Sequence, residues 1–94
     1  MAVGNLLPAG GDAATSAPFV LEGGQTMTLC GAARVGADGG VYWRVLVDRK
    51  MSDGAWERVA ELSWERKLIT IYGDGEYRLR RAAGAGCLVD GALA

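Results

Sequence analysis

The chain has 94 residues, which is enough for one small domain. Half of the residues are hydrophobic and 22% are charged, as in ordinary folded domains. The net charge of −1 excludes a general attraction to nucleic acid or anionic lipid, and there is no apolar run of the ~20 residues that a membrane-spanning helix needs. Such a domain buries only about 60–65% of its unfolded surface, so association with other subunits would stabilise it.

Residues 1–17 differ in composition from the rest, with no Lys or Arg and with Asp12 as the only charged side chain. They lack the periodicity of a strand or a helix. They also lack the features of a secretory signal, so we expect a protein that is made and kept in a cytoplasm. We predict an extended arm over residues 1–17, either flexible or docked on a neighbouring subunit. The predicted contacts of the arm are Val3, Leu6, Leu7 and Pro8.

From residue 18 onward, short apolar segments alternate with turn residues at a spacing of roughly ten residues, which predicts antiparallel strands. The predicted strands cover residues 19–22, 25–30, 41–48, 56–62, 67–72, 76–81 and 87–89. About seven short strands of this kind are typical of an all-β fold. We therefore predict that residues 18–94 form a small antiparallel β-sandwich, immunoglobulin-like or related.

The alternation of side chains within these strands predicts which of them face the core. The expected core residues are Met27, Leu29, Val41, Trp43, Val45, Val47, Tyr77 and Leu79. Outward positions are expected for Cys30, Asp48, Arg78 and Arg80. The core thus draws on the central strands, and the charges remain at the surface.

Three local features need further interpretation. Residues 55–66 fit a helical face about as well as a strand, and we favour a strand because Ser52-Asp53-Gly54 predicts a hairpin before it. Gly73-Asp74-Gly75 predicts a second hairpin turn. Cys30 and Cys87 either form a disulfide, if their strands pair, or remain small apolar side chains, and the sequence leaves both open.

The residue types needed for catalysis are absent or scattered. Without histidine, the chain has no Ser-His or Cys-His pair, and two cysteines without a Cys-x-x-Cys motif do not form a structural zinc site. Most of the eleven acidic residues fall in turns or on polar strand faces rather than in a cleft. We predict that the protein is not an enzyme and has no catalytic, cofactor-binding or metal-binding residues.

The basic residues and one tryptophan are the remaining candidates for binding. Arg78, Arg80 and Arg81 lie close together, yet acidic residues share the same polar faces and would cancel the positive field. We therefore disfavour a nucleic-acid partner and expect cross-strand ion pairs. Arg78 and Arg80 are predicted to pair with acidic groups of a neighbouring subunit, and Trp64 is predicted to anchor an interface.

The segment Tyr72-Gly73-Asp74-Gly75-Glu76-Tyr77 resembles the Asp-x-Gly-x-Tyr corner of immunoglobulin-like domains. In those domains the Tyr hydroxyl hydrogen-bonds back across a sheet corner. Trp43 resembles their core tryptophan, whereas Leu79 stands where their second cysteine would be. This resemblance implies a sandwich without the inter-sheet disulfide.

A second resemblance covers more of the chain. Asn5-Leu6-Leu7-Pro8-Ala9-Gly10, a small-residue stretch and a Phe-Val-Leu strand resemble the start of small virion proteins of tailed bacteriophages. The segment from Gly75 to Arg81, leading to Leu88-Val89-Asp90, resembles their ending. The resemblance implies a non-enzymatic structural protein of the virion, such as a capsid decoration, head fibre or tail accessory component, made in the host bacterial cytoplasm.

The same resemblance implies partners: capsid or tail subunits and further copies of the chain within the particle, without a membrane or cofactors. The alternative is a small β-barrel module that binds nucleic acid or carbohydrate. Nucleic-acid binding would weaken steeply with salt, whereas docking on a virion subunit need not.

Overall fold

The computed structural model describes residues 2–34, 42–84 and 86–94, and within them the chain forms nine β-strands. They are β1 (Ala2–Gly10), β2 (Ala14–Thr15), β3 (Phe19–Leu21), β4 (Thr26–Ala33), β5 (Arg44–Lys50), β6 (Trp56–Ser63), β7 (Leu68–Tyr72), β8 (Gly75–Arg81) and β9 (Cys87–Leu93). The all-β prediction is confirmed, because β3 to β9 correspond to the seven predicted strands with ends shifted by a few residues. β6 covers most of residues 55–66, so this segment is mainly a strand and not a helix.

The strands form two packed antiparallel sheets, as the sandwich prediction requires. Sheet A has the order β1-β9-β4-β7, and sheet B has the order β2-β8-β5-β6, with β3 also paired to β8. In immunoglobulin domains the last strand pairs with the strand that precedes it in the chain, within the same sheet. Here β9 lies between β1 and β4, so the sandwich architecture is present with a strand order that differs from the immunoglobulin one.

The core lies between the sheets and consists of the inward side chains of both. The fully buried hydrophobic residues include Leu7, Leu21, Leu29, Trp43, Val45, Val47, Leu62, Leu79 and Val89. Every predicted core residue that the structure describes is buried, including Met27 and Tyr77. Val41 and the predicted loop over residues 36–40 lie outside the described residues.

Trp43 is the largest buried side chain, and Gly31 of β4 provides the space that it occupies. A Cβ atom at Gly31 would overlap the six-membered ring of Trp43 and lie 3.1 Å from Cδ2 of Leu62. The indole is 1% exposed, and its Nε1 has no hydrogen-bond acceptor among the described residues. The absence of a side chain at Gly31 therefore allows the backbone of β4 to contact the indole directly.

The N-terminal segment is part of the sandwich, which differs from the arm predicted over residues 1–17. β1 pairs antiparallel with β9 of the same chain, and Leu7 is 1% exposed. Two register irregularities interrupt this pairing between Asn5 and Gly10. Because a bulge breaks the period of two, the alternation that would have indicated a strand is hidden in the sequence.

The two predicted hairpin turns have different outcomes. Ser52-Asp53-Gly54 joins β5 to β6, which pair along their length, so this hairpin is confirmed. Gly73 and Asp74 instead connect β7 of sheet A to β8 of sheet B, so the predicted second hairpin is wrong and the segment is a corner between sheets. Tyr77 Oη donates to the Gly73 carbonyl at 2.6 Å, the type of bond expected from the tyrosine corner.

The two cysteines are free, although their strands are neighbours. In the pairing of β4 with β9, Cys30 lies opposite Asp90, whereas Cys87 lies opposite Ala33. Cys30 is exposed and Cys87 is fully buried, so their side chains project from opposite faces of sheet A. Burial raises the pKa of the Cys87 thiol, and this residue acts as a small apolar core group.

Candidate functional site: two contrasting outer faces

The outer face of sheet A is nearly free of charge. Its side chains alternate with buried ones along β4, β7 and β9, and strand pairing aligns them in rows. We call this surface the neutral face, and its ten residues are Thr26, Thr28, Cys30, Ala32, Leu68, Thr70, Tyr72, Leu88, Asp90 and Ala92. Asp90 is the one charged residue among the ten.

The neutral face combines small side chains with two large exposed ones. Thr28 and Thr70 lie opposite each other, with their hydroxyl oxygens 3.3 Å apart. Leu68 and Tyr72 on the outermost strand are 64% and 77% exposed. Charged residues are depleted in the centres of protein interfaces, where Tyr is enriched. The neutral face therefore has the composition of a surface that another protein can cover at little desolvation cost.

The outer face of sheet B carries ion pairs between neighbouring strands, and we call it the charged face. Arg44 contacts Glu61 at 2.7 Å, and Lys50 approaches Glu76 at 3.9 Å. These are cross-strand pairs of the kind predicted from the alternating charges. Since their side chains are well exposed, each contributes little to the free energy of unfolding.

Asp48 is the exception on the charged face, because it is buried. It faces outward as predicted, but it is 1% exposed, since Arg78 and Arg80 cover it. Arg78 Nε donates to Asp48 Oδ2 at 3.0 Å, while Arg80 donates from Nε and Nη2 at 2.5 and 3.1 Å. Burial raises the pKa of Asp48, yet the hydrogen bonds and charges of the two arginines together lower it below its ordinary value.

Replacing Asp48 with Asn should lower the free energy of unfolding at pH 7 by about 1–3 kcal/mol. Because the folded-state pKa is lowered, the contribution of Asp48 is fully present above its unfolded pKa of about 3.9. It is lost as the pH falls through the lower folded-state value. Urea unfolding of the wild type and of Asp48→Asn, measured from pH 7 to pH 2, should therefore give curves that converge below about pH 4.

The control for this titration is Glu57→Gln, which removes an exposed carboxylate on β6. It should change the free energy of unfolding by less than about 0.5 kcal/mol at pH 7. A constant difference between wild type and Asp48→Asn over the whole pH range would contradict the assigned ion pair.

Arg81 plays a structural role that the sequence interpretation missed when it grouped this residue with the basic cluster. Arg81 is 6% exposed and projects between the sheets. Its guanidinium donates to the backbone carbonyls of Asp12 at 2.9 Å, Pro8 at 2.8 Å and Cys87 at 2.8 Å. Arg81 thus ties β8 of sheet B to the end of β1 and the start of β9. Extending the inward alternation of Tyr77 and Leu79 by one step would have indicated this position.

The residues predicted as contacts of the N-terminal arm have other surroundings in the structure. Leu7 belongs to the core, and Leu6 packs half-buried against it. Pro8 is exposed beside the Arg81 guanidinium. The backbone of Val3 pairs with β9, and its side chain lies outside the described part of the structure. Leu6 and Leu7 are therefore occupied within the chain itself.

The other predicted partner contacts remain at the surface. Trp64 is 41% exposed and packs edge-to-face against Tyr42, with ring centroids 4.9 Å apart. Arg78 and Arg80 pair with Asp48 of their own chain, and Arg78 also lies 4.4 Å from the centre of the Trp56 ring. Asp48 of the same chain thus takes the place of the acidic group expected on a neighbouring subunit, although part of each arginine side chain remains accessible.

Two other features are absent from residues 2–34, 42–84 and 86–94. These residues contain no cluster of three or more metal-ligating side chains. The same residues include no helix with the length and apolar character needed to cross a membrane.

Comparison with known proteins gives a likeness at the level of the fold. No protein-family model matches the chain, and no curated protein matches it. Among solved structures, the crystal structure of the SPBc2 prophage-derived protein YomS is similar, with a TM-score of 0.68 and 6% sequence identity. The likeness covers 99% of this chain and 92% of that chain. At this identity it shows a shared fold that extends over nearly the whole of both chains.

Proposed function

We propose that the chain is a non-enzymatic structural component of a bacteriophage virion that works through protein-protein contacts. The observation that carries this proposal is the neutral face on β4, β7 and β9, which no other described strand covers. The fold shared with a prophage-derived protein supports the phage association. Capsid decoration, head fibre and tail accessory roles are each compatible with such a surface, and each places the protein in the virion after synthesis in the bacterial cytoplasm.

The neutral face suits a neighbouring virion subunit because covering it removes little polar surface from water. Its threonine pair already shares a hydrogen bond, and Asp90 accepts a hydrogen bond from Nδ2 of Asn5 at 3.2 Å. Polar groups that keep a partner when buried avoid the desolvation penalty. Leu68 and Tyr72 supply exposed apolar anchors at one edge.

The size of the neutral face suggests contact within an assembly rather than a free-standing dimer. Strands about 4.8 Å apart and roughly 20 Å long give a face on the order of 300–400 Å² per subunit. Stable two-protein complexes bury about 1,200–2,000 Å² in total, roughly twice what two such faces provide. We therefore expect a weakly associating chain that is retained in a particle through more than one contact.

Incorporation into phage particles tests the proposal. We expect an epitope-tagged chain, expressed in the induced bacterial strain that encodes it, to co-purify with virions through a density gradient. The Thr28→Arg variant, which places a cation in the centre of the neutral face, should be incorporated at least tenfold less. Immunoblots of gradient fractions measure this ratio.

The matched control is Ser52→Arg, which adds the same charge in the exposed β5–β6 turn and should be incorporated normally. Thermal unfolding of both variants verifies that they are folded. If the wild-type chain is abundant in the lysate and missing from purified virions, the proposed function is refuted. Equal incorporation of both arginine variants would refute the role of the neutral face.

We do not propose the nucleic-acid alternative, because the charged face gives it little support. Arg78, Arg80 and Arg44 hold carboxylates of the same chain. A surface that binds the phosphate backbone of a nucleic acid needs a row of cations that acidic residues do not neutralise.

A further inference from the structure

A groove of about 430 Å³ crosses the charged face where β2, β8 and β5 lie side by side. Strand pairing aligns Thr15 of β2, Arg80 of β8 and Leu46 of β5 in one row across it. The lining combines Leu46 and Ala14 with three arginines, of which Arg44 and Arg80 lie on the outer face and Arg81 is turned inward. An apolar surface flanked by cations fits a ligand that is anionic at one end and aliphatic at the other.

The two arginines have hydrogen-bonding capacity beyond the pairs they already form. Asp48 accepts from Nε and Nη2 of Arg80, which leaves Nη1 without an acceptor among the described residues. Arg44 reaches Glu61 through Nη2, and its side chain is 59% exposed. A guanidinium has five N–H donors, so each arginine can bind a second carboxylate.

The charge around the groove favours an anion. On the charged face beside the groove, Arg44, Arg78 and Arg80 contribute three positive charges, and Asp48 and Glu61 contribute two negative ones, leaving an excess of one positive charge. The buried Asp48 also fixes the orientation of the Arg80 guanidinium. A fixed guanidinium loses less side-chain entropy when it binds a carboxylate.

The neighbouring edge of the sheet favours an extended peptide. β2 is at one end of the strand order of sheet B and pairs with β8 alone among the described strands. An extended segment can cross such an open edge and enter the groove over β8 and β5. The groove lies on the charged face, next to Thr15.

We infer that this groove binds a Glu or Asp side chain from an extended segment of a neighbouring protein subunit. The carboxylate lies between Arg44 and Arg80, and the aliphatic part of the segment contacts Leu46. This inference deepens the proposed function by naming the chemistry of a second contact, and it rests on that function for the identity of the partner as a virion subunit.

A peptide-binding experiment with the isolated chain tests the inference. The probes are fluorescein-labelled Thr-Val-Glu-Val-Thr and the same peptide with Gln in place of Glu. Fluorescence anisotropy should show at least tenfold tighter binding of the Glu peptide at low salt. Arg44→Gln should weaken that binding at least fivefold, and amide shift changes in NMR spectra should cluster at β2 and at Arg44 and Leu46.

Arg58→Gln is the matched control, since it removes the same charge from β6 outside the groove lining and should bind the Glu peptide normally. Equal affinity for the two peptides, or equal losses in the two Gln variants, would overturn the inference. Stronger competition by a single-stranded oligonucleotide than by unlabelled Glu peptide would also overturn it, in favour of nucleic acid. Because no virion is present, failure here leaves the test of the neutral face unaffected.

Discussion

Gly31→Ala is expected to lower the free energy of unfolding by about 3 kcal/mol, a large effect for one methyl group. The added Cβ would overlap the Trp43 ring, at 2.9 Å from Cζ3, and would press on Leu62 at 3.1 Å. Both side chains are fully enclosed by the two sheets and have no free space to move into. Urea unfolding followed by tryptophan fluorescence measures the change.

Two further variants establish the cause of this effect. Gly4→Ala adds the same methyl group in β1, where nothing lies within 4 Å, and should change stability by less than about 1 kcal/mol. Gly31→Ala combined with Trp43→Phe should be less destabilised than the sum of the single changes, because the smaller ring makes room. A Gly31→Ala variant as stable as Gly4→Ala would show that β4 does not contact the indole.

Arg81→Met is the second change with a large expected effect, a loss of about 3 kcal/mol. Methionine keeps an unbranched apolar stem, but the carbonyls of Asp12, Pro8 and Cys87 lose the donors of the guanidinium. Because two of these carbonyls belong to the N-terminal segment, β1 should open more readily than the rest of the domain. Amide hydrogen exchange should show a selective loss of protection in β1 relative to β5.

Arg58→Met on the exposed face of β6 serves as the comparison and should leave both stability and β1 protection close to wild type. Uniform loss of protection over β1 and β5 in Arg81→Met would mean that Arg81 supports the whole fold without specifically holding the first strand.

Much of the fold follows from the sequence because alternation with a period of two is a local property. It identified β3 to β9 and placed Trp43, Tyr77 and Leu79 in the core, as observed. It missed β1, whose irregular register hides the alternation. It also assigned a hairpin at Gly73, since turn residues specify a reversal of direction but not whether the next strand returns to the same sheet.

The candidate surfaces were harder to predict, because they depend on which strands become neighbours. Thr28, Thr70 and Ala92 are distant in the sequence, and only the order of sheet A places them in one row. Similarly, the outward positions of Arg78 and Arg80 were predictable from alternation. Their partner was not, since choosing Asp48 among the acidic residues requires the register between β5 and β8.

The pairing of β1 with β9 has a consequence for biosynthesis. Ala2 lies opposite Leu93, so one edge of sheet A joins residues from opposite ends of the described chain. While the ribosome still holds residues 87–93, β1 has no partner among the described strands, and β4 lacks the strand that separates it from β1. Contacts between such distant residues make folding slow. The nascent chain must therefore stay partly open until β9 has left the ribosome, and chaperones can act on it during this interval.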